Sequence, residues 1–227
     1  MPAAEAARSR GSRGPGQKVG LTRQQILDAA LALVDRDGLA ALTMRSLGAE
    51  LGVEAMTIYH YVPTKDALLD GIVERAFTLA APPADPAQPW QRSLNDYAHG
   101  LLNGLLNHPG ILPLASSRPA VTPDLLDGVE GYLRVLAAAG FPLGRALHAI
   151  NALTVFVLGH ATAAVRIDPA AEDVGAAAWV AELDPERYPL LVEAAATGQG
   201  TDDDERFALA VEALISGFEL AGSGAGG

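Results

Sequence analysis

The chain has 227 residues, 49% apolar and 19% charged, enough for a sizeable core in one large domain or in a small domain joined to a medium one. It has no cysteine, which excludes disulfides, thiolate metal sites and cysteine nucleophiles. The net charge of −11 is uneven: residues 1–65 hold eight Lys/Arg against six Asp/Glu and the rest eight against 21, so a polyanion would be met by the N-terminal end and repelled by the remainder.

Residues 1–20 mix Gly, Ser, Pro, Ala and Arg without a hydrophobic period or an apolar signal-like run, and read as a disordered basic arm. Arg8, Arg10, Arg13 and Lys18 there suit either a narrow minor groove or a solvated tail. Thr22 and Gln25 form a T-x-x-Q capping box, and Ile26, Ala29, Ala30, Leu33 and Val34 make the stripe of a first helix that Gly38 stops. Thr43 caps a second helix with Met44, Leu47 and Leu51 inward, ended by Gly52. A third short helix spans 54–61, with Val53, Ile58 and Val62 inward. Pro63 and Thr64 break the chain before a fourth helix over 65–79, with Leu68, Leu69, Ile72, Val73, Ala76 and Phe77 inward.

The Pro-rich stretch 80–89 is the domain boundary. Beyond it the apolar period predicts helices at about 90–107, 123–139, 143–165, 186–196 and 203–220. An acidic loop falls at 166–185 and a frayed Gly/Ser tail at the C-terminus. No strand alternation, internal repeat or uninterrupted run of about 18 apolar residues occurs. The expectation is an all-α protein in a cytoplasmic setting, with no membrane segment. A helix-turn-helix domain at 21–66 leads through a lever helix at 65–79 to a ligand-binding and dimerisation domain at 80–222, with a flexible tail at 223–227.

The two short helices joined at Leu51-Gly52-Val53 have helix-turn-helix spacing, and the second presents Thr57, Tyr59, His60 and Tyr61, short polar and aromatic groups suited to phosphates and base edges. The run Leu42-Thr43-Met44-Arg45-Ser46-Leu47-Gly48-Ala49-Glu50-Leu51-Gly52-Val53, then Thr57 to Val62 and Lys65-Asp66-Ala67-Leu68-Leu69, resembles the DNA-binding domain of the tetracycline-repressor (TetR) family over residues 22–79. The resemblance implies backbone and base contacts by Thr43 and Arg45, and base-facing Ala55 and Thr57. It further implies phosphate or base contacts by Tyr59 and Tyr61, and a phosphate clamp by Lys65. His60 reads as a backbone contact or solvent-facing group rather than a metal ligand, since no second ligand stands at i+3 or i+4.

Past residue 79, Trp90-Gln91, Leu105-Leu106, Ser117-Arg118-Pro119, Ala139-Gly140-Phe141, Phe156 to Gly159 and Gly217-Phe218-Glu219 follow in the order of the tetracycline-repressor type of C-terminal domain. In that resemblance, Leu114 and Ala163 stand where the subgroup has its magnesium-chelating His and Glu, and Tyr97 and Tyr132 where it has a drug-binding Asn and Gln. The implied inducer is therefore a metal-free small molecule other than tetracycline, and no cofactor is expected. The candidate pocket is Tyr97, Leu101, Arg118, Val129, Tyr132, Leu147, Ile150, Asn151 and Thr154. Asn151 and Thr154 share one helix face and need polar partners, supplied either by a ligand or by the fold itself. Arg118 is either a pocket group or a structural ion-pair residue.

For the dimer, Val157, Leu158, Gly159 and Ala161, with Phe207, Val211, Leu214, Ile215 and Phe218, are the candidates for an intersubunit four-helix bundle. The function implied is a homodimeric repressor on palindromic double-stranded operator DNA, released by its inducer. The alternative is a ligand-independent or activating helix-turn-helix regulator. An enzyme is not expected, since the sequence has no Ser-His-Asp set, phosphate loop or metal-ligand spacing.

Overall fold

The computed structural model describes residues 20–118, 121–165, 183–197 and 202–223, and among them every regular element is helical. Helix α1 (Arg23–Asp37) opens on the expected reciprocal cap: Gln25 N–H donates to Thr22 Oγ1 and Thr22 N–H donates to the Gln25 side chain. A 3₁₀ turn (Leu39–Ala41) leads to α2 (Met44–Leu51), where Thr43 Oγ1 caps Ser46 N–H and Ser46 Oγ accepts from Thr43 N–H. Gly52, at φ +66°, turns the chain towards α3 (Ala55–Tyr59). That helix is shorter than its predicted 54–61, because Glu54 is an extended cap and the chain past Tyr59 tightens, His60 N–H bonding Thr57 O and Tyr61 N–H bonding Ile58 O. Helix α4 (Lys65–Ala80) is capped by Thr64 Oγ1 on Ala67 N–H.

Beyond the Pro-rich stretch come α5 (Trp90–Asn107), a 3₁₀ turn (Pro109–Ile111), α6 (Leu112–Ser117), α7 (Pro123–Ala138), α8 (Leu143–Val165), α9 (Pro189–Ala196) and α10 (Asp203–Ser223). The turn and α6 have no counterpart among the predicted elements, being too short to show a period. Helix α9 starts at Pro189 rather than near 186 because Asp184 holds a turn: its carbonyl accepts from Tyr188 N–H and its carboxylate from Glu186 N–H. The acidic-loop reading falls mostly on 166–182, outside the described residues. So do the basic arm, apart from Gly20, and the tail from 224.

A single core runs through both halves, from Ile26 and Leu31 through Leu68, Ile72, Leu101 and Ile150 to Phe207 and Val211. Helix α4 joins the halves: it packs on α1 on one side and on α5 and α7 on the other. Three polar links reinforce the joint. Arg23 of α1 donates to the buried Glu74 of α4 at 2.8 and 3.3 Å. His108 Nδ1 meets the Asp35 carboxylate at 2.7 Å. Arg118, at the end of α6, donates to Asp70 at 2.9 Å and Asp66 at 2.6 Å, one turn apart on α4.

Five of the nine expected dimer residues lie inside the chain, whereas Leu158, Leu214 and Phe218 are half-buried and Gly159 is exposed. Val157, Ala161, Phe207 and Val211 are all at most 1% exposed within one chain, and Ile215 is 7% exposed, because α10 lays this face on α5 and α8 of its own chain. His160 faces Asp203 at 3.2 Å, and its ring lies 4.8 Å from that of Phe207, across the same contact. The apolar side chains left outward are others: Val155 on α8 at 68%, and Leu209 and Leu220 on α10 at 67% and 79%. Gly159 and Ala163 are exposed beside Val155. Helix α8 has the length and composition of a membrane span, with mean hydropathy 1.4, yet Arg145, His148, Asn151, Thr154 and His160 interrupt it and one face packs on α5 and α7.

Candidate nucleic-acid interface and ligand cavity

Apolar anchoring from below holds the helix-turn-helix face outward. Leu47 and Ile58 are fully buried and Val62 nearly so, which fixes α2 on α1 and α3 on α2. The two helices cross so closely that a Cβ on Gly48 would lie 2.8 Å from Val53 O and 3.3 Å from Ala55 N, so only glycine fits there. With Ile58 inward, Tyr59 and Tyr61 stand 40% and 38% exposed, His60 is exposed, and Ala55 and Thr57 are half-buried on the same short helix. Met56, 66% exposed, is an outward apolar side chain that the sequence reading did not single out. Thr43 is exposed, but its hydroxyl is engaged in capping Ser46.

Charge pairing separates the cations of this half. Arg23, Arg36 and Arg75 are each committed to carboxylates, at 2.8 Å to Glu74, 3.0 Å to Glu50 and 2.5 Å to Asp28. Arg45 and Lys65 are exposed and make no ion pair among the described residues. They lie on the helices before and after α3, and among the described residues of this half they are cations left available to a phosphate backbone.

The second site is a cavity of about 420 Å³ between α4, α5, α7 and α8. Six of the nine pocket residues expected from the sequence line it: Tyr97, Val129, Tyr132, Ile150, Asn151 and Thr154. Three do not. Leu101 is fully buried in the core, Leu147 is 40% exposed and off the cavity wall, and Arg118 is drawn away to Asp66 and Asp70. The remaining wall comes from Phe77 and Thr78 in the last turns of α4, from Ala81, Pro82 and Pro83 just after it, and from Asp124, Leu125 and Gly128 of α7. The α7 residues sit at helical intervals before Val129 and Tyr132, so extending that face back one turn would have found them. The α4 residues come from far away in the chain and carried no such signal.

Polar order in the cavity is supplied by the fold. Tyr97 and Tyr132 stand edge to face, centroids 4.9 Å apart at 62°. Tyr132 Oη donates to Pro82 O at 2.6 Å, tying α7 to the segment that follows α4. Thr154 Oγ1 donates to Ile150 O at 2.8 Å, the carbonyl four residues back, and also contacts Tyr97 Oη at 2.8 Å. Burial pushes both phenols above the usual tyrosine range, so both stay protonated at neutral pH. Asn151 makes no hydrogen bond among the described residues and lines the cavity.

Comparison with known proteins covers both sites. Residues 26–72 match the family described as bacterial regulatory proteins, tetR family, and residues 82–221 match the tetracyclin repressor-like C-terminal domain. The chain is 31% identical over 222 residues to the HTH-type transcriptional repressor DrrR1 of Streptomyces coeruleorubidus, covering 93% of this chain and 81% of that one. It is 35% identical over 211 residues to the class D tetracycline repressor protein of Escherichia coli, covering 88% and 90%. The crystal structure of the Streptomyces coelicolor TetR family protein ActR in complex with actinorhodin superimposes with TM-score 0.74 at 29% identity, over 90% of this chain and 99% of that one.

Proposed function

The chain belongs to the TetR family of bacterial regulators, and from that premise we propose that it is a ligand-responsive transcriptional repressor whose inducer occupies the cavity beside α4. One observation carries the reading: the helix that begins six residues after α3 ends in the cavity wall, at Phe77 and Thr78. A ligand that fills the cavity therefore pushes on the far end of the element that sets the attitude of α3. Arg45, Ala55, Thr57, Tyr59, His60, Tyr61 and Lys65, with the α2 cap at Thr43, form the face offered to the major groove and its phosphates. The protein acts as a homodimer on a palindromic operator, its recognition helices about 34–36 Å apart. The outward stripes of Val155, Gly159 and Ala163 on α8 and of Leu209 and Leu220 on α10 form the subunit contact.

The inducer is metal-free, because Leu114 and Ala163 bring no donor atoms and lie off the cavity wall. No catalysis is assigned to the cavity. Induction is a population shift: the free dimer holds the groove spacing, and ligand-bound α4 favours another, with a coupling of about 1–3 kcal/mol. The test is fluorescence anisotropy on a duplex of the chain's own upstream region, followed by a ligand-release screen with the wild type and Asn151→Ala. Specific binding, released by a compound whose potency drops at least tenfold in Asn151→Ala, is the expected result. A monomer that prefers this duplex no more than a scrambled one would end the reading, and Asn151→Ala responding like wild type would move the ligand out of this cavity.

A further inference from the structure

Resting on the reading of the 420 Å³ cavity as the inducer site, we propose that it selects an aromatic ligand bearing a protonated amine over neutral and anionic relatives of the same shape. Four hydroxyls line the space: Thr78, Tyr97, Tyr132 and Thr154. Thr154 has one proton and two contacts at 2.8 Å; the Ile150 carbonyl can only accept, so the proton goes there and Tyr97 must donate to Thr154. Tyr132 donates to Pro82 O, and Thr78 donates to Glu74 O at 2.8 Å. All four protons are spent on the protein, and what these oxygens still offer is lone pairs. The Asn151 amide is the one side-chain donor among the lining residues left uncommitted.

Charge points the same way. Asp124 is the one acidic residue among the lining residues, none of which is Lys, Arg or His, and it forms no ion pair among the described residues. Arg23 lies within Coulombic reach of it, but that guanidinium is held by two hydrogen bonds to Glu74, so the three groups together keep one negative charge. The edge-to-face pair of Tyr97 and Tyr132 lines the same space, and aromatic rings attract cations and pack against other aromatic bodies. An anion would meet the Asp124 field and a ring of acceptors with a single amide to answer it. An ammonium finds a counter-charge, acceptors and π-faces together.

The test uses three anthraquinones that share one ring system and one linker and end in a primary amine, a hydroxyl or a carboxylate. Their dissociation constants are measured by equilibrium dialysis against the full chain, Asp124→Asn, Asp124→Ser and Gly128→Trp. The amine should bind at least about tenfold tighter than the other two, as expected for one partly screened charge pair. Asp124→Asn and Asp124→Ser should cut the amine's advantage over the hydroxyl compound to about threefold or less, because both remove the charge that only the ammonium pairs with. Gly128→Trp should abolish all binding by placing a bulky side chain at the cavity wall, where a Cβ meets no other atom within 4 Å. A carboxylate that binds as well as the amine, an amine preference that survives both Asp124 variants, or no measurable amine binding overturns the proposal. If Gly128→Trp blocks the hydroxyl compound but the amine has no advantage, the charge preference alone fails. If the hydroxyl compound still binds Gly128→Trp, the cavity is not the ligand site and both readings fall.

Discussion

Glu74 ties α4 to α1 through one buried carboxylate. It sits on α4, 4% exposed, and takes both hydrogen bonds from Arg23 of α1. Burial pushes its carboxyl up, but the Arg23 hydrogen bonds and charge, with the Thr122 hydroxyl nearby, outweigh burial and hold it below the usual glutamate range. A carboxylate with a lowered folded-state pKa contributes stability that is fully present above the unfolded value of about 4.3 and is lost as pH falls through the folded value. The stability gap between wild type and Glu74→Gln should therefore be constant from neutral pH down to about 5 and shrink on further acidification. Urea unfolding at a series of pH values measures it, and a gap that widens in acid would refute the assignment. The sequence had no means to single out Glu74, because its partner is 51 positions away and the helical period offers only a solvent-like Glu.

At the scale of elements, α4 is the piece on which the mechanism turns, and its far end is set against α5 with no room to spare. A Cβ at Gly104 would fall inside the van der Waals radius of Ala80 Cβ, with the Ala80 Cα only 2.9 Å away. A side chain there must displace the last residue of α4, as a ligand in the cavity is proposed to do. Gly104→Val is expected to weaken operator binding at least tenfold without inducer and to respond little when inducer is added, while thermal unfolding remains a single cooperative transition. Operator affinity equal to wild type would mean that the end of α4 does not control α3. The helices themselves were legible from apolar period and caps, because those signals are local: Thr22 with Gln25, Thr43 and Thr64 all cap as their positions require. The wall that α4 contributes to the cavity was not, since Phe77 and Pro82 meet Tyr132 only through the packing of separate elements.

For the whole molecule, the instructive case is the face through which two copies meet. Periodicity identifies which side of a helix is apolar but not what covers it. The period marks Phe207, Val211 and Val157 as an intersubunit stripe, and the fold uses them inside one chain. What remains outward is a sparser stripe of Val155, Gly159, Ala163, Leu209 and Leu220, of which Gly159 alone is among the residues the period marks for the subunit contact. Leu209→Glu should leave the helical content and folding of the chain unchanged, convert it to a monomer in analytical ultracentrifugation and reduce operator affinity by at least tenfold, because a burying interface cannot accept an unpaired charge. A dimer of undiminished strength would place the contact elsewhere. The charge imbalance belongs to this scale too: Arg45 and Lys65 are unpaired among the described residues while residues 66–227 carry eight Lys/Arg against 21 Asp/Glu, so the proposed approach to DNA is with the helix-turn-helix end first.

The bond from Tyr132 to the Pro82 carbonyl bears on how such a regulator can diversify. Asp124 and Asn151 touch the cavity and are tied to nothing that moves, so exchanging them alters chemical taste alone. Tyr132 is at once a wall of the cavity and a tether on the segment behind α4, so any exchange there changes what is recognised and how loudly recognition is transmitted. Descendants of this chain can drift in selectivity along the Asp124 side, whereas the Tyr132 side evolves only in concert with the strength of the response.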